Sequence, residues 1–201
     1  RAVPASEGEE ALEIVGCGKP FPGHDLRVVD EQGNDVGERV VGEVLTRGPS
    51  VTKGYFQAPE ATADAFLDGF LRTGDLAYVA DGDLFICGRR KDLIIVRGEN
   101  HYPQDIEWVV GDLPGVRRGN VIAFATTVEG NEELVVAAEA ASTDAAELRT
   151  VIARKIVEEF GLRPHHVAIV AIGSLPKTSS GKIQRQKARR LFEDGELQEH
   201  P

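Results

Sequence analysis

Residues 88–96 read Gly-Arg-Arg-Lys-Asp-Leu-Ile-Ile-Val, and they separate two different sequence patterns. Before them, short apolar runs alternate with Gly, Pro, Asn and Asp, which is typical of strands joined by tight turns. After them, strand-like and helix-like segments alternate, which indicates an α/β or α+β unit. The sequence therefore predicts an α+β fold of two units that join near residues 89–92.

Four strands and one short helix are predicted in the first unit. The strands cover residues 26–29, 42–46, 77–79 and 84–87. The helix covers residues 59–66, with Pro59 well placed at its first position. Asp81-Gly82 favours a type I′ hairpin between the last two strands, because both central residues of that turn need a positive φ.

The second unit is predicted to mix strands with three helices. The strands cover residues 93–96, 121–125, 134–140 and 167–170. The helices cover residues 104–110, residues 145–160 and a segment after Gly181. Residues 142–144 are candidate caps for the long helix, and Gly161 is its expected end.

Composition limits the classes of function. The 201 residues include 23 Lys and Arg against 33 Asp and Glu, a net charge of −10 that disfavours nucleic acid as a partner. No apolar run approaches the roughly 18 residues that a membrane span requires, so we expect a cytoplasmic protein without a span. Cys17 and Cys87 lack metal-ligand spacing and are predicted to be buried. Because the chain begins at Arg1 and contains no Met, we interpret it as part of a longer protein.

Residues 70–76 contain the first candidate for a functional site. Asp75 follows a Thr-Gly pair that predicts a turn at the start of a strand. A carboxylate in this place accepts two hydrogen bonds from a vicinal diol, as in ribose binding. The alternative is an aspartate that caps its own backbone in a turn.

The junction itself is the second candidate. Its three consecutive cations include Arg89, whose guanidinium is suited to a phosphate or a ribose. The charged run also suits a pivot between the units. The alternative is a solvated run that protects the apolar strand behind it.

Residues 97–107 form the third candidate, predicted as a loop that leads into a helix. Pro103 suits the helix entry, and acidic residues follow in the first turn. His101 is the candidate catalytic group of this loop, and the alternative is a structural or surface histidine.

Residues 174–185 form the fourth candidate, a polar loop with two lysines. A phosphate-binding Walker loop is excluded, because Pro176 stands where a Gly is needed and Ile183 where Ser or Thr is needed. The Thr-Ser-Ser-Gly run predicts a flexible loop that presents Lys182 at its end. Residues 177–190 hold six Lys and Arg and no acid, which fits either an anionic partner or the exposed face of a terminal helix.

These four segments, in this order, resemble the C-terminal portion of the adenylate-forming superfamily of acyl- and aryl-CoA synthetases, nonribosomal peptide adenylation domains and luciferases. The motifs are Arg-Thr-Gly-Asp-Leu at 72–76, Gly-Arg-x-Lys-Asp at 88–92, Gly-Glu-Asn-x-Tyr-Pro-x-x-Ile-Glu at 98–107 and Pro-Lys-Thr-x-Ser-Gly-Lys at 176–182. The resemblance implies that residues 1–90 are the last, β-barrel-like subdomain of the AMP-binding N-terminal domain. Residues 91–201 would be a small, mobile α/β lid domain.

The resemblance also implies an activity and roles for single residues. Such enzymes join a carboxylate to ATP with release of pyrophosphate and then pass the acyl group to a thiol. Asp75 would hold the ribose hydroxyls, Arg89 would contact ribose or phosphate, and Lys182 would be the adenylation lysine. Lys91 and Asp92 would form the hinge. The thiol-side loop would consist of Gly98, Glu99, Asn100 and His101.

Within the superfamily, residues 100–107 most resemble the fatty acyl-AMP ligases, which transfer the acyl group to the phosphopantetheine thiol of a carrier protein. Glu99 departs from that subfamily and is more typical of CoA ligases, so a long-chain fatty acid CoA ligase is the alternative. ATP would be the substrate, and Mg²⁺ would be bound mainly by segments that precede this chain. The chain alone is therefore not expected to complete adenylation.

One alternative lies outside catalysis. The basic residues 177–190 would suit a non-catalytic module that docks an acidic carrier protein. The complete lysine motif argues against it, because docking needs cations but no particular loop. Nucleic-acid binding through the same residues conflicts with the net charge of −10.

Overall fold

The computed structural model describes residues 1–6, 14–141 and 144–200, and these form two compact units. The first unit is Arg1–Lys91 and the second is Asp92–Pro201. The division falls inside the junction that the sequence pattern indicates. Among the described residues, no helix is long and apolar enough to span a membrane.

The first unit is built on one antiparallel sheet. Its elements are β1 (Asp25–Val29), β2 (Gly42–Arg47), α1 (Pro59–Asp64), β3 (Phe66–Leu67), β4 (Phe70–Ala80) and β5 (Asp83–Arg89). Strand β4 is the centre, because β2, β3 and β5 all pair with it, and β1 pairs with β2. A small core of Val29, Leu45 and Phe70 packs against Leu67.

The hairpin predicted at Asp81-Gly82 is confirmed, since the two residues have φ values of 54° and 82° between β4 and β5. The helix predicted over residues 59–66 is too long. It ends at Asp64, and Phe66–Leu67 pairs with β4 instead. Tertiary pairing has here replaced the last helical turn.

The largest difference in the first unit concerns the Thr-Gly pair before Asp75. The sequence predicted a turn there, but the segment lies inside the eleven-residue strand β4. Neighbouring strands pair with this part of β4 on both sides, and Gly74 accommodates the local distortion with a φ of 73°. The β4–β5 register shifts directly afterwards, between Leu76 and Ala77, as in a β-bulge.

The second unit combines a three-stranded sheet with a hairpin and three helices. Its elements are β6 (Ile94–Val96), β7 (Glu99–His101), α2 (Pro103–Gly111), β8 (Val116–Val128), β9 (Asn131–Ala140), α3 (Ala145–Phe160), β10 (His166–Val170) and α4 (Arg185–Glu193). The sheet order is β10-β9-β8, with β9 parallel to β10 and antiparallel to β8. Strands β6 and β7 form a separate hairpin.

This sheet is buried on both faces. One core contains Val121, Leu134 and Ile169 of the sheet together with Ile106 of α2 and Ile152 of α3. The other core contains alternate residues of the same strands. Leu175, which follows β10, and Ala188 of α4 pack with them. Burial on both faces explains why residues 134–140 are almost continuously apolar.

The long helix is confirmed over Ala145–Phe160. The side chain of Asp144 caps it by accepting a hydrogen bond from the Glu147 N–H at 3.0 Å. Gly161 ends it in the left-handed conformation, with a φ of 65°. The other two candidate caps, residues 142–143, lie outside the described residues.

Two further predictions are wrong, one of a loop and one of buried cysteines. The sequence predicted a loop over residues 97–102, but Glu99–His101 forms β7, and the hairpin turns at Arg97-Gly98 with φ values of 54° and 81°. Cys17 is exposed rather than buried, and Cys87 is partly exposed. The backbone of Cys17 bonds to Leu84 on β5, and this edge position leaves the side chain outside the core.

Candidate functional site

Asp75 lies on β4 directly opposite Arg89 on β5. Arg89 Nε donates to Asp75 Oδ1 at 2.9 Å, and the side chains are 54% and 29% exposed. The alternative of an aspartate that caps its own backbone is wrong, because the Asp75 N–H donates to the Thr73 hydroxyl instead. Within the described residues, Asp75 Oδ2 makes no hydrogen bond. A rigid strand therefore presents a carboxylate with one oxygen paired and one open.

Arg90, the next cation of the junction, binds a different acid of the first unit, Glu43. Glu43 on β2 is buried, and its Oε2 accepts from Arg72 Nη2 at 2.5 Å and from Arg90 Nη1 at 3.2 Å. Burial alone would raise the pKa of Glu43, but Arg72 and Arg90 bring it below its ordinary value. Arg90 is therefore fixed to the first unit rather than free in solvent.

Asp92 is fixed to the second unit. Arg185 Nη1 donates to Asp92 Oδ2 at 2.8 Å, and Gln186 donates to Asp92 Oδ1. Lys91 lies between Arg90 and Asp92, is exposed, and makes no ion pair with any described residue. Lys91, which makes no ion pair with a described residue, thus lies between two residues that do.

Arg185 is the centre of a buried charge cluster that sequence reasoning missed. Its Nη2 donates to both carboxylate oxygens of Glu107, at 2.8 and 2.9 Å, and its Nε donates to the Ala123 carbonyl at 3.0 Å. The Arg185 side chain is 15% exposed. Burial raises the pKa of Glu107, and Asp92 adds to this rise, against the opposing effect of Arg185. The cluster joins α2, β8 and the start of α4.

Lys182 lies near the end of the predicted loop, which backbone hydrogen bonds close into a turn. Lys177 and Ile183 form an isolated antiparallel bridge, and the Thr178 N–H donates to the Lys182 carbonyl at 2.8 Å. The Gly181 N–H closes the turn on the Thr178 carbonyl at 2.9 Å. Lys182 is exposed, and its Nζ makes no hydrogen bond or ion pair within the part of the chain that the structure describes.

The other lysine of this segment is occupied. Lys177 Nζ donates to the Asn120 side chain, and Asn120 itself is buried on β8. Nearby, the fully buried Glu139 accepts from the Leu175 N–H at 3.1 Å and pairs with Arg117 at 2.8 Å. Sequence reasoning missed Glu139, although one acid within a run of apolar strand residues is a recognisable signal.

The predicted thiol-side loop is the β6–β7 hairpin. Gly98, Glu99 and Asn100 are exposed, whereas the His101 side chain is only 12% exposed. His101 Nε2 is buried without a hydrogen-bond partner among the described residues, and Glu99 Oε2 lies 4.0 Å away. Burial lowers the pKa of His101 against the opposing effect of Glu99. The imidazole is therefore neutral at pH 7.

Part of the basic stretch of residues 177–190 is occupied by partners within the second unit. Three of its six cations bind partners inside the second unit: Lys177 binds Asn120, Arg185 binds its two acids, and Arg189 binds Glu193 at 2.7 Å. The cations without an ion pair among the described residues are Lys177, Lys182, Lys187 and Arg190, and the last three also make no side-chain hydrogen bond there. This arrangement engages half of the cations that a docking surface made of these residues would use.

No three His, Cys, Asp or Glu side chains converge on a metal-sized site in residues 1–6, 14–141 and 144–200.

Family models match both units. Residues 91–201 match the model described as "Disco-interacting protein 2-like, AMP domain", and residues 3–56 match the model described as "AMP-binding enzyme". A Caulobacter vibrioides protein named as an acyl-CoA synthetase is 42% identical over 95% of this chain and 34% of its own length. The medium-chain-fatty-acid–[acyl-carrier-protein] ligase JamA of Moorena producens is 37% identical over 96% of this chain and 35% of its own length.

A solved structure from a study of fatty acyl-adenylate ligases from E. coli and L. pneumophila has the same fold. It superposes with a TM-score of 0.83 at 35% identity and covers 96% of this chain and 35% of that chain. The mixed α and β content predicted from the sequence is thus confirmed. This chain spans about a third of the length of the curated relatives that it matches. By its sequence and its fold, the chain belongs to the adenylate-forming family of AMP-binding enzymes.

Proposed function

We propose that this chain forms the C-terminal part of an ATP-dependent ligase that activates a fatty acid as acyl-AMP, releases pyrophosphate and passes the acyl group to the phosphopantetheine thiol of a carrier protein. Residues 1–90 would be the last, barrel-like subdomain of the nucleotide-binding domain, and residues 91–201 the mobile lid. The observation that carries the proposal is Lys182, an exposed lysine without a partner among the described residues, on a closed turn within its complete motif.

The nucleotide side of the reaction is proposed for Asp75 and Arg89. The open Oδ2 of Asp75 is suited to accept a hydrogen bond from a ribose hydroxyl, while Oδ1 stays paired with Arg89. Arg89 is half exposed, and its remaining N–H groups are available to a ribose or phosphate oxygen. The cross-strand register holds both groups in place before the nucleotide binds.

Lys182 is proposed to act in the adenylation step. A carboxylate anion attacks the α-phosphorus of ATP, and negative charge accumulates on the phosphoryl oxygens as pyrophosphate leaves. A positioned ammonium lowers the energy of that transition state by electrostatic attraction. Mg²⁺, held by other parts of the enzyme, would supply charge neutralisation of the phosphates. The free Nζ of Lys182 supports this role, because no intramolecular ion pair has to break first.

A pivot at Lys91 would move the lid between the two half-reactions. Arg90 is anchored to Glu43 within the first unit, and Asp92 is anchored to Arg185 within the second. Rotation about the backbone of Lys91 breaks neither ion pair. These anchors support a hinge confined to Lys91, with Asp92 as the first residue of the moving part.

The β6–β7 hairpin is proposed to line the path of the incoming thiol. Its exposed tip, with Gly98, Glu99 and Asn100, would contact the pantetheine arm. His101, neutral at pH 7 and largely buried, would support the base of the hairpin from within.

The acceptor is proposed to be a carrier protein, and a long-chain fatty acid CoA ligase is the second candidate. Residues 100–107 and the relative named as a carrier-protein ligase favour the carrier protein. Glu99 and the relative named as an acyl-CoA synthetase favour CoA. A docking module without catalysis has no comparable support, since three of its six cations already bind partners within the second unit.

The test uses the full-length protein that carries this sequence, with ATP, Mg²⁺, a panel of fatty acids, and either free CoA or a phosphopantetheinylated carrier protein. Mass spectrometry identifies the products. Acyl-AMP that accumulates with CoA and is consumed by the carrier protein would support the first proposal. Rapid formation of acyl-CoA would favour the second candidate, and absence of acyl-AMP with every acid would contradict both.

A further inference from the structure

The turn that carries Lys182 is held at both ends by buried charged side chains. It runs from Pro176 to Gln184, whose N–H donates to the Pro176 carbonyl at 2.9 Å. We propose that Glu139 and Arg185 are positioning residues for Lys182, each fixing the backbone on one side of this turn without touching the reacting atoms. The proposal rests on the adenylation role proposed above for Lys182.

Glu139 holds the chain that enters the turn. It is fully buried on β9, and its Oε1 accepts from the Leu175 N–H at 3.1 Å. The Gly173 N–H also donates to the carboxylate, and Arg117 Nη1 donates to Oε2 at 2.8 Å. Burial alone would raise the pKa of Glu139, but these donors and the nearby Lys177 bring it below its ordinary value. Glu139 is therefore ionised at neutral pH, and its bonds to the backbone are charge-assisted.

Arg185 holds the chain that leaves the turn. It is the first residue of α4 and follows Lys182 by three positions. Its guanidinium binds Asp92, both oxygens of Glu107 and the Ala123 carbonyl, so four acceptor atoms on three segments fix its position. Glu107 is itself held by the Ala123 N–H at 2.8 Å. The start of α4 is thereby tied to α2 and to the centre of β8.

These anchors matter because the Lys182 side chain has no anchor of its own. Its Nζ lies in solvent without a partner among the described residues, so its orientation derives from the backbone alone. Within the turn, the Thr178 hydroxyl accepts from the Lys182 N–H at 3.0 Å. This bond fixes the Lys182 backbone relative to the rest of the turn. A misplacement of about 1 Å in a reacting group can cost about 10²-fold in rate. Loss of either anchor should therefore slow the step that uses Lys182.

If these clusters had a purely structural role, we would expect a different pattern of losses in the two half-reactions. Buried ion pairs also affect the stability of the whole unit, and a destabilised lid would impair both half-reactions together. The thiol transfer step does not use the Lys182 ammonium in the proposed mechanism. A selective loss of adenylation therefore separates positioning from general stability.

The experiment measures both half-reactions in the full-length protein. Adenylation is followed as pyrophosphate release, and thiol transfer is followed after acyl-adenylate is supplied. The variants are Glu139→Gln for the first anchor and Arg185→Lys for the second. Arg149→Lys is the matched control, because Arg149 is a half-buried arginine of the same unit that pairs with Glu199, away from the turn. Glu107→Gln is a second variant of the Arg185 anchor that keeps the shape of the side chain.

We expect Glu139→Gln and Arg185→Lys to lower the kcat of adenylation about 10–100-fold, with less than about a threefold change in the KM for ATP. Thiol transfer from supplied acyl-adenylate should change less than about threefold. Equal losses in both half-reactions, or rates equal to those of Arg149→Lys, would overturn the proposal. Absence of adenylation by the unmodified protein would instead contradict the proposed function itself.

Non-additivity provides the decisive readout. In a Lys182→Ala background, the anchors have no ammonium left to position, so Arg185→Lys should lower adenylation by less than about threefold further. Effects that multiply in the double variant would show that Arg185 acts independently of Lys182. The same comparison applies to Glu139→Gln.

Discussion

Asp75 in the first unit is partly exposed and Lys182 in the second is exposed, and the two charged groups are prepared for binding in different ways. Asp75 lies on the central strand of a sheet, and one of its oxygens is already paired with Arg89 across the register. Lys182 lies on a turn with a closed backbone, and its ammonium has no partner within the described residues. The strand fixes the side chain of Asp75, whereas the turn fixes only the backbone of Lys182.

This difference indicates what each group can contribute. A carboxylate that keeps one ion pair is suited to hold a ligand in both ground and transition states, which affects binding more than rate. A cation without a competing ion pair is suited to meet charge that develops only during the reaction. On the proposed function, the first unit would bind the nucleotide and the second would promote the step on it.

Among the variants considered, Lys182→Ala should have the largest effect on activity. We expect adenylation in the full-length protein to fall about 10²–10³-fold, on the scale of losing one preorganised electrostatic contact. Pyrophosphate release measures the effect. Lys187→Ala is the control, because Lys187 is another exposed lysine on the neighbouring helix without an ion pair among the described residues. A similar loss in both variants would contradict a specific role for Lys182.

Asp105→Asn tests the effect of a partly buried carboxyl of α2 on the pH dependence of stability. Burial raises the pKa of Asp105 from an ordinary value of 3.8 to about 6. Below pH 4 the carboxyl is protonated in both the folded and the unfolded protein, so it has no effect. Between about pH 4 and pH 6 only the unfolded form ionises, so the free energy of unfolding decreases as pH rises. Above pH 6 the full cost is present, about 1–2 kcal/mol once solvent screening of this partly exposed group is included.

The neutral Asn should remove this cost. We expect Asp105→Asn to raise the Tm at pH 7.5 and to leave it unchanged at pH 3.5, as measured by thermal unfolding at both pH values. A Tm increase of equal size at the two pH values would show that charge is not the cause.

Asp75→Asn should have a smaller effect that appears in binding. One charge-assisted hydrogen bond to a ribose hydroxyl would be weakened, so we expect the KM for ATP to rise about 10-fold with a smaller change in kcat. Asp25→Asn is a closely matched control, because Asp25 lies opposite Arg47 in the same sheet and pairs with it in the same manner. A loss confined to kcat in Asp75→Asn would break the distinction between the two sites.

Glu43→Gln should have the smallest effect and the opposite pH dependence to Asp105→Asn. Because Arg72 and Arg90 lower the pKa of Glu43, its ion pairs stabilise the folded form above the ordinary pKa of 4.5. That contribution is lost as pH falls through the lower pKa of the folded form. We expect Glu43→Gln to reduce the free energy of unfolding by about 1 kcal/mol at pH 7 and by less at pH 3. Urea titrations at the two pH values measure the difference, and an equal reduction at both would be inconsistent with it.

Local signals made parts of this structure predictable. Asp144 and Gly161 mark the ends of α3 in the sequence, and both act at their predicted positions. The hairpin at Asp81-Gly82 depends on the same kind of local preference. The four candidate segments could be recognised because each carries its own motif in consecutive residues.

The features that depend on distant partners were not predictable. Asp75 lies within a strand because β2 and β5 pair around it, although its local sequence favours a turn. Arg185 binds an acid 78 positions away, and Glu139 binds a backbone N–H 36 positions away. The polar residues of β7 gave no alternating apolar pattern, so only their pairing with β6 identifies them as a strand.

The most direct test of the proposed role of Lys182 measures both half-reactions of Lys182→Ala in the full-length protein. Adenylation is measured from ATP and fatty acid, and thiol transfer is measured from supplied acyl-adenylate with a phosphopantetheinylated carrier protein. We expect a loss of adenylation of about 10²–10³-fold with thiol transfer changed by less than about threefold. Adenylation at the unmodified rate, or an equal loss in both steps, would contradict this role.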